Sequence, residues 1–189
     1  VKYGELTLRE NQIAYADPGF FRLFDFELLK GDKKTSLSMP GQVVITERIA
    51  RKYFKEEDPI GKILIFTGPY YKISCEVTGV MKEMPSNSHI HYSFLISYKS
   101  LPKYMQEYWY KHEAYTYVLL DSPERKAEIE REFPVMAEKY KTEEALKNKT
   151  WGVDLVPLAD IHLTPQLGYE METKGNRSAM IALVFAAIA

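Results

Sequence analysis

The chain has 189 residues, of which 46% are hydrophobic and 27% are charged, and its formal net charge is −1. This composition is typical of a globular protein that can bury a core, and it lacks the excess of positive charge that favours a nucleic-acid partner. Cys75 is the single cysteine, which excludes an intrachain disulfide and means that a zinc site would need several His or carboxylate ligands.

The N-terminal part predicts short elements. Scattered strand character over residues 3–15 indicates two short strands. Asp17-Pro18 is typical of a helix start, because proline suits the first helical position, and a short helix is expected through Phe24. A strand over residues 26–30 and a polar loop over residues 33–42 follow.

Residues 43–62 predict a strand, a capped helix and a turn in close succession. Val43, Val44 and Ile45 form a β-branched run, and Thr46 can accept a hydrogen bond from the first turn of a following helix. Asp58-Pro59-Ile60-Gly61 suits a type I turn. The apolar face of the helix is expected to carry Ile49, Ala50, Tyr53 and Phe54.

A β-hairpin is predicted over residues 62–80, with Thr67-Gly68-Pro69 in its loop. Its second arm alternates between apolar and polar residues, as in a sheet that is covered on one side. Cys75 falls on the apolar face, so we expect a small buried hydrophobe and not a reactive thiol.

The second half of the chain mixes short strands with helices. Asp121-Ser122-Pro123 opens the longest helix, in which Pro134 is expected to produce a kink or a division into two helices. With no regular strand-helix-strand repeat, the pattern favours an α+β fold with antiparallel or mixed sheets. The other predicted elements are a loop at 84–89, strands at 90–98, 113–120 and 153–158, and a short helix at 102–108.

His89 and His91 are the strongest candidates for metal ligands, since their spacing on a strand would direct both to one face. Two ligands do not make a site, and nothing in the sequence brings a third or fourth close. The alternative for His89 is to anchor its loop by ring hydrogen bonds to residues 86–88. The further ligands would have to come from His112, Glu113, Asp160 or His162.

Other chemical motifs are weak. Residues 31–36 resemble a phosphate loop only superficially, because the first glycine and a following helix are missing. Glu128, Glu130 and Glu132 are interpreted as a solvated helix face. Four aromatic residues indicate either a partner-binding or lipid-binding surface or packing between lobes, namely Tyr104, Tyr108, Trp109 and Tyr110.

The last residues form an apolar run. Residues 179–189 contain no charge, but a membrane span needs about 20 residues. Two interpretations stay open, a buried C-terminal helix and the first half of a membrane helix.

Several motifs stand in a characteristic order along the chain. They are Asp17-Pro-Gly-Phe-Phe21, Phe26-Glu-Leu-Leu-Lys-Gly-Asp32, Val43-Val-Ile-Thr-Glu-Arg-Ile-Ala-Arg-Lys-Tyr-Phe54, Asp58-Pro-Ile-Gly-Lys62, Val77-Thr-Gly-Val80, Met84-Pro-Ser-Asn-Ser-His89 and Leu158-Ala-Asp-Ile-His-Leu163. Together, from about Ile13 onward, they resemble the periplasmic core domain of MacB-like ABC transporter permeases. Within this family, the motifs resemble those of the FtsX-type permeases of Bacteroidetes.

The resemblance implies two lobes. Residues 1–98 would be an inserted, mainly β lobe (Sabre-like) with short helices, and residues 99–175 a porter-like α+β lobe that is incomplete. Residues 176–189 would begin a transmembrane helix.

The resemblance also implies a role. The domain would lie in the periplasm of an inner-membrane permease, contain no catalytic, cofactor-binding or metal site, and pass on motion driven by ATP on a partner ATPase subunit or domain. A second permease copy, and a periplasmic adaptor or lipoprotein substrate, would be further partners. The rivals are a secreted metal-dependent hydrolase that uses His89 and His91, and a free-standing peptide- or lipid-binding module.

Overall fold

A mixed β-sheet dominates the computed structural model, which describes residues 1–69, 71–106, 114–141 and 144–163. The chain divides into two units, Val1–Val118 and Leu119–Ala189. The strands are β1 (Lys2–Tyr3), β2 (Leu6–Thr7), β3 (Ile13–Ala16), β4 (Leu28–Lys30), β5 (Gln42–Thr46), β6 (Ile63–Thr67), β7 (Lys72–Met81) and β8 (Phe94–Ser97). The α-helices are α1 (Phe20–Leu23), α2 (Glu47–Phe54), α3 (Lys103–Gln106), α4 (Arg125–Glu138) and α5 (Glu144–Lys147), with 3-10 helices at Tyr98–Ser100 and Leu158–Leu163.

The strand order is β2-β1-β6-β7-β5-β8-β3, and β4 pairs with β7 beside this path. β5 is parallel to β7 and β3 is parallel to β8, while the other pairs are antiparallel. The predicted α+β class with mixed sheets is therefore confirmed. The division into lobes at residue 98 stays a prediction.

Strand β5 lies at the centre of this sheet and is buried on both faces. Val43 and Ile45 join one apolar cluster, which includes residues of α2, and Val44 joins another on the opposite face. All three side chains have no exposed surface. The strand therefore connects the two halves of the core.

Helix α2 follows β5 directly, as predicted. The Thr46 hydroxyl accepts a hydrogen bond from the Ile49 amide at 3.5 Å, so the predicted cap is present. Ile49, Tyr53 and Phe54 are buried against the sheet. Because the cap ends the buried strand, the direction of the helix is fixed from its first residue.

A β-bulge in β7 controls which side chains reach each face. Val43 of β5 pairs with Val77, but the next residue, Val44, pairs with Gly79, so Thr78 is an extra residue. Val77 and Val80 consequently lie in the same apolar cluster although they are three residues apart. The Thr78 hydroxyl donates to the Ser36 carbonyl oxygen at 2.6 Å, which satisfies a polar group at the bulge.

The turn after α2 lies one residue later than predicted. The Asp58 carboxylate accepts from the Ile60 amide at 3.2 Å, as expected, but the turn closes from the Lys62 amide to the Pro59 carbonyl oxygen at 3.1 Å. Gly61 is then the third residue of the turn, with φ of 79°, as in a type II turn. The predicted type I turn is wrong because it placed this glycine at the fourth position.

Cys75 is fully buried in the apolar cluster beside α2, and burial raises the pKa of its thiol to about 11. A thiol in this environment is protonated and inaccessible at neutral pH. The prediction of a small buried hydrophobe is confirmed.

Two strands that the sequence predicts in the second half are absent from the described residues. Residues 114–120 and 153–157 form no strand with any described residue, and residues 158–163 form a 3-10 helix. Alternation of apolar residues is present in both segments, but a strand also needs a neighbour to pair with. Helix α4 continues through Pro134, so a division into two helices is absent, and the expected kink stays a prediction.

In the second unit, α4 holds the segment that follows α5. The Glu130 carboxylate accepts from the Leu155 amide at 2.8 Å and pairs with Lys126 Nζ at 3.1 Å. These contacts, the Leu155 bond first, lower the pKa of Glu130. Glu130 therefore makes a tertiary contact, in addition to its place on the helix face that the sequence suggested.

The apolar run at residues 179–189 lies outside the described residues. Within the described part of the chain, every helix is too short or too polar to span a bilayer.

We predict that Gly31→Ala destabilises the protein far more than Gly61→Ala. Both glycines have positive φ, but a Cβ at Gly31 would lie 2.3 Å from the Thr78 carbonyl oxygen, whereas a Cβ at Gly61 would meet nothing within 4 Å. Gly61→Ala should cost about 1 kcal/mol of unfolding free energy, the backbone penalty alone, and Gly31→Ala about 3 kcal/mol or more. Urea unfolding measures both. Equal losses would contradict the close packing of Gly31 on the bulge.

Candidate functional site

Three rings meet close to the C-terminal boundary of the first unit: Phe24, His89 and Tyr117, called here the aromatic anchor. His89 Nε2 lies 2.9 Å from the Tyr117 hydroxyl oxygen, within hydrogen-bond distance. The edge of the Tyr117 ring packs on Phe24, with 5.0 Å between centroids and 81° between planes. The anchor thus fixes the chain one residue before Val118, where the unit ends.

Helix α1 and the residues beside it supply the Phe24 side of the anchor. Phe20 stacks on Phe26 with 5.6 Å between ring centroids, and Phe24 lies 5.2 Å and 6.0 Å from these two rings. Phe21, on the same helix, is 4% exposed and packs into the core. Phe24 is therefore held by neighbours that are themselves part of the folded unit.

The loop at residues 84–92 supplies His89. The Ser88 amide donates to the Pro85 carbonyl oxygen at 2.9 Å, and the Ser88 hydroxyl accepts from the Ile90 amide at 3.0 Å. Ile90 is 1% exposed, which ties the loop to the core. The expected anchoring role of His89 thus has a different partner, because its ring lies within hydrogen-bond distance of Tyr117.

Burial decides the protonation state of Tyr117. It raises the pKa of the Tyr117 phenol to about 12, with smaller contributions from Tyr92 and Tyr115. The phenol is therefore neutral at physiological pH and keeps its hydrogen atom. Deprotonation of Tyr117 therefore does not disrupt its contact with His89 in this pH range.

A polar cluster joins the start of α2 to two neighbouring segments. Arg48 donates from its backbone amide to Glu83 Oε1 at 3.0 Å and from Nη2 to Ser93 Oγ at 2.8 Å. Ser93 in turn donates to Gln12 Oε1 at 2.8 Å. The negative charge of the Glu83 carboxylate is also favourable at the N-terminal end of α2, which carries a partial positive charge. These four side chains and His91 line a cleft of about 110 Å³.

The predicted metal ligands do not form a common site. His89 belongs to the aromatic anchor, His91 lines the small polar cleft, and neither lies on a strand, since β8 begins at Phe94. His162 is in the 3-10 helix of the second unit, while His112 and Glu113 lie outside the described residues. Within residues 1–69, 71–106, 114–141 and 144–163, no three His, Cys, Asp or Glu side chains could hold a metal ion.

The segment at residues 31–36 is a structural turn. The Asp32 carboxylate accepts from the Lys34 and Thr35 amides at 2.9 Å and 3.0 Å, and these bonds lower its pKa. Because these amides already donate to the Asp32 carboxylate, they do not offer a binding site for a phosphate.

Of the four aromatic residues predicted as a surface, Tyr104 is 71% exposed on α3. Tyr108, Trp109 and Tyr110 lie outside the described residues.

Sequence reasoning missed Phe24 and Tyr117 as partners. The available signals were the density of phenylalanines at residues 20–26 and the alternation of Tyr115 and Tyr117. Neither signal connects the two segments, since Phe24 and Tyr117 are 93 residues apart in the sequence.

The family model described as "MacB-like periplasmic core domain" matches residues 1–134. No curated protein matches the chain. The crystal structure of a domain of a candidate permease protein from Porphyromonas gingivalis is similar, with a TM-score of 0.56 and 22% identity over 70% of this chain and 60% of that one. The periplasmic region of MacB from Actinobacillus actinomycetemcomitans has a TM-score of 0.40 and 16% identity over 65% of this chain and 53% of that one. The chain thus spans 60% of the first of these structures.

We predict that Tyr117→Phe lowers the free energy of unfolding by about 1 kcal/mol at pH 8, because it removes one hydrogen bond and keeps the ring on Phe24. The pKa of Tyr117 is raised from 10.0 to about 12, so the neutral phenol is favoured in the folded state. The contribution is therefore complete below pH 10 and lost as the pH rises through 12. Urea unfolding of both proteins across this range measures the difference.

The matched control is Tyr115→Phe, because Tyr115 is 47% exposed. Its effect should stay within about 0.5 kcal/mol at every pH. An equal effect of the two substitutions, or a constant difference up to pH 12, would contradict the assigned contact.

Proposed function

The chain belongs to the family of MacB-like periplasmic core domains, and we propose that it works as the extracytoplasmic domain of an ABC transporter permease. The observation that carries this proposal is the family match over residues 1–134, which includes the whole first unit. The permease is an inner-membrane protein, and this domain lies in the periplasm. ATP is bound and hydrolysed by a partner ATPase subunit or domain.

The domain transmits conformational change and performs no catalysis. A part that passes on movement has to keep its own shape while the chain leading out of it is pulled. The doubly buried strand β5 supports such stiffness, because packed cores do not deform continuously. The aromatic anchor supports transmission, because it fixes Tyr117 next to the boundary between the units.

The partners follow from this role. A second copy of the permease and the ATPase complete the transporter, and membrane helices flank the domain. A periplasmic adaptor or a lipoprotein substrate receives the movement.

We predict that Tyr117→Ala uncouples ATP hydrolysis from movement in the full-length transporter. Removing the ring takes away the contacts with Phe24 and His89, so that a pull on the chain detaches the segment before it moves the unit. Spin labels at Glu56→Cys in the two copies measure the movement by pulsed electron resonance, since Glu56 is exposed. The nucleotide-dependent change in distance should shrink while ATP turnover in proteoliposomes continues.

Tyr104→Ala is the control, because it removes a ring of the same size from an exposed position of the first unit. It should leave both the distance change and ATP turnover unaltered. A Tyr117→Ala transporter with the full distance change would contradict transmission through the anchor. The transporter role itself would be contradicted by a full-length protein that binds no ATPase and shows no nucleotide-dependent change in the distance between the two labels.

A further inference from the structure

The first unit contains a second, larger cleft that has no part in the proposed transmission. Its volume is about 490 Å³, within the range of small-molecule sites. Lys2, Arg9, Glu10, Ile13, Ile65 and Tyr71 are among the residues that line it.

The cleft exists because the sheet is strongly curved. β1 and β2 lie at one end of the strand order and β3 at the other, yet residues of all three line the same cleft. Side chains from both ends also pack on the cluster that contains the buried face of α2. The helix fills part of the concave side, and the cleft is a part that it leaves open.

The cleft has apolar side chains on part of its wall and polar side chains on the rest. Ile13 and Ile65 come from different strands, and Phe66, which is 1% exposed, is shared with the core. Tyr71, after the hairpin loop, is 50% exposed. An apolar chain placed between these side chains would remove their surface from water.

The charges around the cleft leave it net positive. Lys2 and Arg9 are exposed, and neither forms an ion pair or a side-chain hydrogen bond within the described part of the chain. The negative charge of Glu10 is compensated by Lys52, whose Nζ atom lies 2.7 Å from Glu10 Oε1. The same oxygen lies 2.9 Å from the Tyr53 hydroxyl. The Glu10 side chain is only 10% exposed, so it offers little repulsion to an anion in the cleft.

We propose that this cleft binds a small amphipathic carboxylate, with its acyl chain along Ile13, Ile65 and Tyr71 and its carboxylate toward Lys2 and Arg9. Charge complementarity selects the anion, and the apolar wall selects the chain. The proposal is independent of the transporter role, since it concerns only the fold of the first unit.

Calorimetric titration of the 189-residue chain with dodecanoate, below its micelle-forming concentration, tests the proposal. We expect saturable binding at one site and weaker binding of dodecanol and of dodecyltrimethylammonium. Arg9→Gln and Lys2→Gln should each weaken dodecanoate binding about fivefold, as expected of an exposed charge pair. Arg22→Gln and Lys34→Gln, at exposed cations outside the cleft, should leave it unchanged.

A photoactivatable diazirine analogue of dodecanoate locates the site. The expected label is on peptides that contain residues 1–13 or 63–72, and Tyr71→Ala should reduce it. Absence of saturable binding, equal affinity for dodecanol, or label confined to residues 179–189 would each overturn the proposal. Both cation variants replace exposed side chains, and thermal unfolding of each confirms that a lost affinity does not come from a lost fold.

Discussion

The burial of β5 on both faces is the constraint on which the rest of the first unit depends. A strand with no exposed side chain at Val43, Val44 and Ile45 has to satisfy its backbone groups within the sheet, and β7 and β8 supply the partners. The parallel pairing with β7 contains the bulge at Thr78, and the cap at Thr46 begins α2, which packs on one face. The core, the bulge and the helix thus meet at one central strand.

This arrangement is the physical basis of the proposed mechanical role. The sheet and α2 form a body whose parts share buried contacts, while the aromatic anchor attaches the outgoing chain to it through Phe24 and His89. Because Tyr117 is half-buried and neutral, this attachment does not depend on a charge that salt would screen. The family match supports the proposed place of the domain in a permease, and the attachment supports the proposed transmission.

The sequence predicts what is encoded locally. The β-branched run, the Thr46 cap and the apolar face of α2 lie within twelve consecutive residues, and all were found as expected. The anchor was missed because His89 and Tyr117 are 28 residues apart and Phe24 is farther still. The predicted strand at 113–120 has the right alternation, but its residues 114–120 have no pairing partner in the described chain. The turn at Gly61 lies one residue later than predicted. The positive φ of Gly61 determines its position, whereas the prediction relied on the position of Pro59.

The most direct test of the central claim is a distance within one copy of the first unit, measured in the full-length transporter with and without ATP. Spin labels at Glu56→Cys and Thr116→Cys occupy exposed positions beyond α2 and beside the anchor, and the buried Cys75 thiol should not react with the label. If the unit and its outgoing segment move as one body, this distance keeps the same mean and width in every nucleotide state, while distances between copies change. A shift or broadening of the Glu56 to Thr116 distance during ATP turnover would contradict the account.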